Sequence, residues 1–163
     1  MYLTHGIVLA KKEIGEADML YTIYTKNFGK MRAHAQGIRK EGAKLRGHIE
    51  VLSVSSLGFV IGKRSPRLVY AKLLSFWEAL RANPIALRAA LVLSRWVDTH
   101  SFPGLPDEPI YTFLLQQMEI LEKGTLTQGT IKSFLDAQKR ELTDLLGGET
   151  SVGSFSSAFV ENF

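Results

Sequence analysis

The sequence predicts an α+β chain: a closed five-stranded β-barrel at the N-terminus, followed by an α-helical domain. Three observations carry that expectation. Five short runs rich in β-branched and aromatic residues, separated by glycine-bearing turns, fall within residues 5–76. From Trp77 onward the apolar spacing changes to a helical period. The charge also divides, with residues 1–81 carrying 14 Lys and Arg against 6 Asp and Glu, and residues 82–163 carrying 6 against 10. The expected domains are therefore 1–78 for the barrel, 79–148 for the helices, and a Gly/Ser/Phe tail over 149–163.

The first strand is expected over 5–12, centred on Ile7, Val8 and Leu9. Gly15 and Asp18 mark the turn that follows, since both tolerate unusual backbone angles. Residues 19–25 place Met19, Tyr21 and Ile23 on one face of a second strand, and Asn27 with Gly29 supplies a hairpin connection. The third strand, 30–36, has Lys30, Arg32 and His34 on one face and Met31, Ala33 and Ala35 on the other. A glycine-rich basic loop, GIRKEGAKLRG, fills 37–47. A long fourth strand is expected over 48–61, with a bulge or bend at Gly58, and a fifth over 67–76. Asn83 and Pro84 open a helix running to about His100, with Asn as N-cap and Pro in the first turn. Two more helices are expected over 108–123, ended by Gly124, and over 127–146. Phe155, Phe159 and Phe163 could share one helical face of the tail, or the tail could be a loose terminus.

Composition excludes several function classes. The 163 residues include no cysteine, so disulfide, cysteine–zinc and cysteine-nucleophile chemistry are out. No stretch has the length of a membrane span, and the start of the chain lacks the pattern of a secretory signal. A protein of a reducing cytoplasm is the expectation. His5, His34, His48 and His100 are scattered without metal-ligand spacing. Glu13, Glu16 and Asp18 cluster at the first turn, where solvated carboxylates ordinarily sit; a magnesium site would need further acids. No nucleophile elbow, phosphate loop or dinucleotide fingerprint is present. The chain is thus expected to be no enzyme and to need no metal or cofactor.

What remains points to binding. Five-stranded barrels of the OB type bind oligonucleotides, tracking phosphates with Lys and Arg and stacking bases on aromatics. Candidate phosphate ligands are Lys30 and Arg32 on the third strand, Arg39, Lys40, Lys44 and Arg46 in the basic loop, and Lys63, Arg64 and Arg67 around the last hairpin. Candidate stacking residues are Tyr24, Phe28 and Tyr70, weighed against the commoner role of strand aromatics as core. In the helical half, Arg88 and Arg95 lie seven residues apart on one face beside Leu91 and Val92. That face could accept a partner peptide, or the two arginines could simply reach water from the edge of the core.

The N-terminal residues also resemble a known family. Gly6-Ile7-Val8-Leu9, Gly15-Glu16-Ala17-Asp18, Thr25, Gly29-Lys30, Ala35-Gln36-Gly37-Ile38-Arg39-Lys40 and the run LRGHIEVLS at 45–53 occur in the order and spacing of the bacterial recombination-repair mediators RecO. The clear likeness covers about the first 80 residues; SFLDAQKRELTDLLG at 133–147 is similar in kind to a later helix of that family. The resemblance implies an OB barrel followed by helices. It also implies binding to single- and double-stranded DNA, annealing of complementary strands, and action with RecR and the single-stranded DNA-binding protein to load RecA. Many members carry a cysteine zinc finger after these helices, so a short form without that finger is expected. An RNA-binding barrel, or a protein-interaction module without annealing activity, is the alternative from the residues alone.

Overall fold

The computed structural model describes residues 1–147. The predicted tail over 149–163, with Phe155, Phe159 and Phe163, lies outside the described residues. Five strands close a barrel: β1 (Tyr2–Ile14), β2 (Asp18–Thr25), β3 (Gly29–Ala35), β4 (Val54–Ile61) and β5 (Pro66–Ser75), in the order β1-β2-β3-β5-β4. Four helices follow: α1 (Glu78–Ala82), α2 (Pro84–His100), α3 (Glu108–Lys123) and α4 (Ile131–Leu145). The chain forms two compact units. One is Met1–Phe76 with Phe102–Tyr111, and the other is Trp77–Ser101 with the described residues from Thr112 onward.

The alternation in the sequence sets the barrel interior. Met19, Tyr21 and Ile23 are buried, and in register they face Ala35, Ala33 and Met31 across the β2–β3 pair. The small alanines leave room for the large partners. With Val8, Leu57, Phe59 and Leu68 these residues form the barrel core. Each large side chain buried there contributes about 1.5–3 kcal/mol. The bend expected at Gly58 is present, as a register shift between Gly58 and Phe59 in the β4–β5 pair.

The fourth strand is shorter than predicted. It begins at Val54, and residues 48–53 form a compact crossing instead. Serine hydroxyls and backbone bonds to Val8 satisfy that backbone. The Ser53 hydroxyl accepts from Glu50 N at 3.1 Å and donates to Glu50 O at 2.7 Å, while the Ser55 hydroxyl donates to His48 O at 2.7 Å. Leu52 adopts φ 69°, a conformation costing a β-carbon residue about 1 kcal/mol or more. Its N–H donates to Val8 O at 2.8 Å and its side chain is only 1% exposed, which offsets the strain.

The helical unit follows its sequence signals closely at α2. The Asn83 side chain accepts from Ile85 N and Ala86 N at 3.0 and 3.3 Å, and Pro84 stands in the first turn. Asn83 Nδ2 also donates to Leu126 O at 3.2 Å. The short α1 has no apolar period of its own. Its amides at Ala79 and Leu80 donate to the Glu122 carboxylate on α3 at 3.2 and 2.8 Å, so its N-terminus is capped from a distant helix. The last helix begins at Ile131 rather than 127, because Thr127 and Thr130 tie residues 127–130 into a turn.

Candidate nucleic-acid interface

The outward row of β3 carries Lys30, Arg32 and His34, opposite Tyr24, Thr22 and Leu20 of β2. Arg32 is exposed, between inward Met31 and buried Ala33. Beyond this row, β3 and β5 run parallel and pair at His34 with Arg67. The seam is thus closed at one point and spreads from there. A cleft of about 530 Å³ opens beside it, lined by Lys30, Met31, Arg32, Arg64, Ser65, Pro66, Pro103 and Gly104. Pro103 and Gly104 reach it because the segment after α2 returns to the barrel. Gly104 N donates to Lys30 O at 2.9 Å, and Pro103 bridges Lys30. The lining holds three cations and no acid.

The basic loop builds a second, different cleft, of about 480 Å³, between the loop and the β1–β2 hairpin. Lys11, Arg39 and Arg46 line it together with Glu13 and Glu50. Its charges are internally matched. Lys11 Nζ lies 2.7 Å from Glu50 Oε1, and Arg39 Nη1 lies 3.2 Å from Glu13 Oε2. Such half-exposed pairs add little stability, but each cancels a positive charge that an anion would otherwise meet.

The loop is not a slack strand of chain. Successive turns run through it, with Lys40 N donating to Gly37 O, Ala43 N to Lys40 O, Arg46 N to Ala43 O and His48 N to Leu45 O, at 3.0 to 3.3 Å. Its first residue is anchored by Asp18. Asp18 Oδ1 accepts from Gly37 N at 2.7 Å and Oδ2 lies 2.8 Å from His34 Nε2, while Arg39 N donates to Ala17 O at 2.9 Å. The Gly37 amide holds the Asp18 carboxyl below its ordinary value of 3.8; burial opposes it, and the His34 ring and then the Lys40 charge add to the lowering. The acidic cluster of the first turn thus has a structural use at two of its three members: Glu13 holds Arg39 and Asp18 holds the loop. Among the described residues no three His, Asp or Glu side chains converge as a metal site.

A carboxyl with a depressed folded-state pKa stabilises the fold above its unfolded value and loses that contribution as pH falls through the folded one. Loop anchoring is therefore expected to be intact above about pH 4 and to fade below it. Asp18→Ala should abolish that acid dependence and speed hydrogen exchange at the Gly37 amide at neutral pH. Unchanged exchange at Gly37 in the variant would show that the loop is held by something else.

The remaining sequence-predicted residues are dispersed. Lys40 and Lys44 are exposed on the loop but line neither cleft, as is Lys63 in the β4–β5 turn. Arg67 is exposed next to the seam. Tyr24 is a correction: it is 1% exposed, burial with help from Asp107 pushes its phenol up to about 12, and its ring offers no face to a base. Phe28 is half-buried with its ring edge-to-face on Tyr2, centroids 5.9 Å apart. Tyr70 is 40% exposed on β5, near Met1 and Leu3 around Gly58, and lines neither cleft. Arg88 and Arg95 are exposed on α2, with Leu91 44% exposed between them. Reasoning from sequence missed Met31, Pro66, Pro103 and Lys11 as parts of these clefts. A proline about 70 positions from β3 carries no local signal of where it will pack.

Comparison with known proteins agrees with this architecture. The family model described as recombination protein O N terminal matches residues 1–75. A protein named DNA repair protein RecO from Acaryochloris marina is 32% identical over 143 residues, covering 83% of this chain and 49% of that protein. Proteins of the same name from a Roseiflexus species and from Gloeobacter violaceus are 29% and 33% identical, covering 90% and 74% of this chain and 50% and 46% of theirs. The chain spans about half the length of the curated relatives it matches. No helix among the described residues is long and apolar enough to cross a membrane.

Proposed function

The chain belongs, by its N-terminal domain, to the recombination protein O family, and from that premise we propose that it is a non-enzymatic DNA-binding mediator of recombinational repair. On this proposal it binds single- and double-stranded DNA through the barrel and anneals complementary strands. It then acts with RecR and the single-stranded DNA-binding protein to help load RecA, in the cytoplasm at the nucleoid. The observation that carries the DNA-binding step is the cleft beside the β3–β5 seam, where the exposed Arg32 and Arg64 come together with Lys30. Phosphates placed there release counterions and gain Lys and Arg contacts, and neutralising two strands at once lowers the repulsion that opposes annealing. Lys40, Lys44, Arg46, Lys63 and Arg67 extend the positive surface, with Arg39 contributing less because Glu13 already engages it.

The test is binding of labelled single-stranded DNA over a salt series. A log–log slope of several units supports phosphate contacts; absence of binding at low salt overturns the proposal. In the helical unit, the Arg88–Leu91–Arg95 face is proposed as the seat of an acidic, aromatic-ended peptide such as the tail of single-stranded DNA-binding protein. An Arg88→Glu, Arg95→Glu variant should then lose affinity for the isolated tail peptide, and retained affinity would remove that face from consideration.

A further inference from the structure

The cleft at the β3–β5 seam is more than a patch of charge. Because the two strands pair at His34–Arg67 and spread beyond it, Met31 of the inward row reaches the gap while still packing against the barrel core. Pro66 and Pro103 supply apolar ring surfaces in the same cleft, and Lys30, Arg32 and Arg64 supply its cations. An apolar floor beside the exposed cations Arg32 and Arg64 is complementary to a ligand that is itself flat and apolar at one end and anionic at the other.

We propose that this cleft takes one unpaired nucleotide of a single strand, its base against Met31, Pro66 and Pro103 and its phosphates on Arg32, Arg64 and Lys30. The proposal rests on the DNA-binding function above and specifies how that site meets a strand. A volume of about 530 Å³ lies in the ordinary range of small-ligand clefts and accommodates a nucleotide. A base within a duplex is stacked on both faces and cannot offer one to this floor, so base docking is confined to unpaired DNA. The prolines also explain why the barrel needs no exposed aromatic here: Tyr24, the β2 residue opposite Lys30, is buried.

The test separates base from phosphate. The chain is titrated with a labelled thymidine strand of about twenty nucleotides and with an abasic strand of the same length and charge. Stacking of a base changes affinity by about fivefold or more, so wild type should prefer the base-bearing strand by at least that factor while both strands show steep salt dependence. Pro103 is exposed, and Pro103→Ser should bring the two affinities together without changing the salt slope for the abasic strand. Equal affinity of wild type for the two strands, both salt-dependent, would overturn the nucleotide cleft and leave DNA binding standing. A preference that survives Pro103→Ser would overturn it too, placing the base elsewhere. Failure of both strands to bind at low salt would overturn the cleft together with the DNA-binding function.

Discussion

Arg32→Glu combined with Arg64→Glu is expected to weaken single-stranded DNA binding by at least about a hundredfold at moderate salt. Two charge-assisted contacts are lost at about 1.5–3 kcal/mol each, and reversed charges then repel the strand. The salt slope should fall by about 0.7 for each phosphate contact removed. Both residues are exposed, so the fold should be unaffected, which a thermal melt checks. The instructive comparison is the loop variant Arg39→Ala, Lys40→Ala, Lys44→Ala, Arg46→Ala. It removes four cations, yet Arg39 already sits on Glu13 and Arg46 lines a cleft that also holds Glu50. Its slope should therefore drop by nearer ~2 units than the ~3 that four free contacts would give. If the loop variant loses more affinity than the seam variant, the loop and not the seam is the principal phosphate site.

That contrast marks how far the sequence reaches. The strands β2 and β3 are legible because apolar and polar residues alternate along them, β1 and β5 because their apolar-rich runs lie next to glycine-bearing turns, and α2 because Asn83 and Pro84 are local capping chemistry. The start of β4 misleads through the same alternation: Ile49, Val51 and Ser53 alternate, but the pattern arises in a crossing held by the Ser53 and Ser55 hydroxyls and by backbone bonds to Val8. The helical tendency from Trp77 is legible, but α1 as a separate helix is not, because five residues hold no period and its cap comes from Glu122, more than 40 residues away. At the candidate site, charge is legible and pairing is not. The count of cations in the loop can be made from sequence, whereas Glu13 meeting Arg39, and Asp18 anchoring Gly37, need the β1–β2 turn folded against the loop. Burial of Tyr24 and the arrival of Pro103 depend likewise on long-range packing, which local propensity does not encode.

The return of residues 102–107 to the barrel is also where the fold is most sensitive to a single atom. Gly29 ends the β2–β3 hairpin at φ 64°, where a side chain costs about 1 kcal/mol from backbone strain alone. A Cβ at this position would in addition collide with the carbonyl carbon and oxygen of Leu105, which are backbone atoms and cannot rotate away. Three further bonds converge on this corner. The Thr25 hydroxyl donates to Gly29 O at 2.9 Å and accepts from Phe28 N at 3.0 Å, and Gly104 N donates to Lys30 O. Gly29→Ala must therefore push the 102–107 segment off the hairpin, exposing that edge of the sheet and pulling Pro103 out of the seam cleft. The expected loss is about 3 kcal/mol or more, at the upper end of single-residue effects. Gly15→Ala is the control, since Gly15 has a similar φ of 57° but no atom within reach of an added Cβ; it should cost only the backbone strain of about 1 kcal/mol. Urea denaturation of the two variants distinguishes the terms. If Gly29→Ala proves no worse than Gly15→Ala, the segment yields at little cost, and the proline wall of the nucleotide cleft is not held in place by this corner.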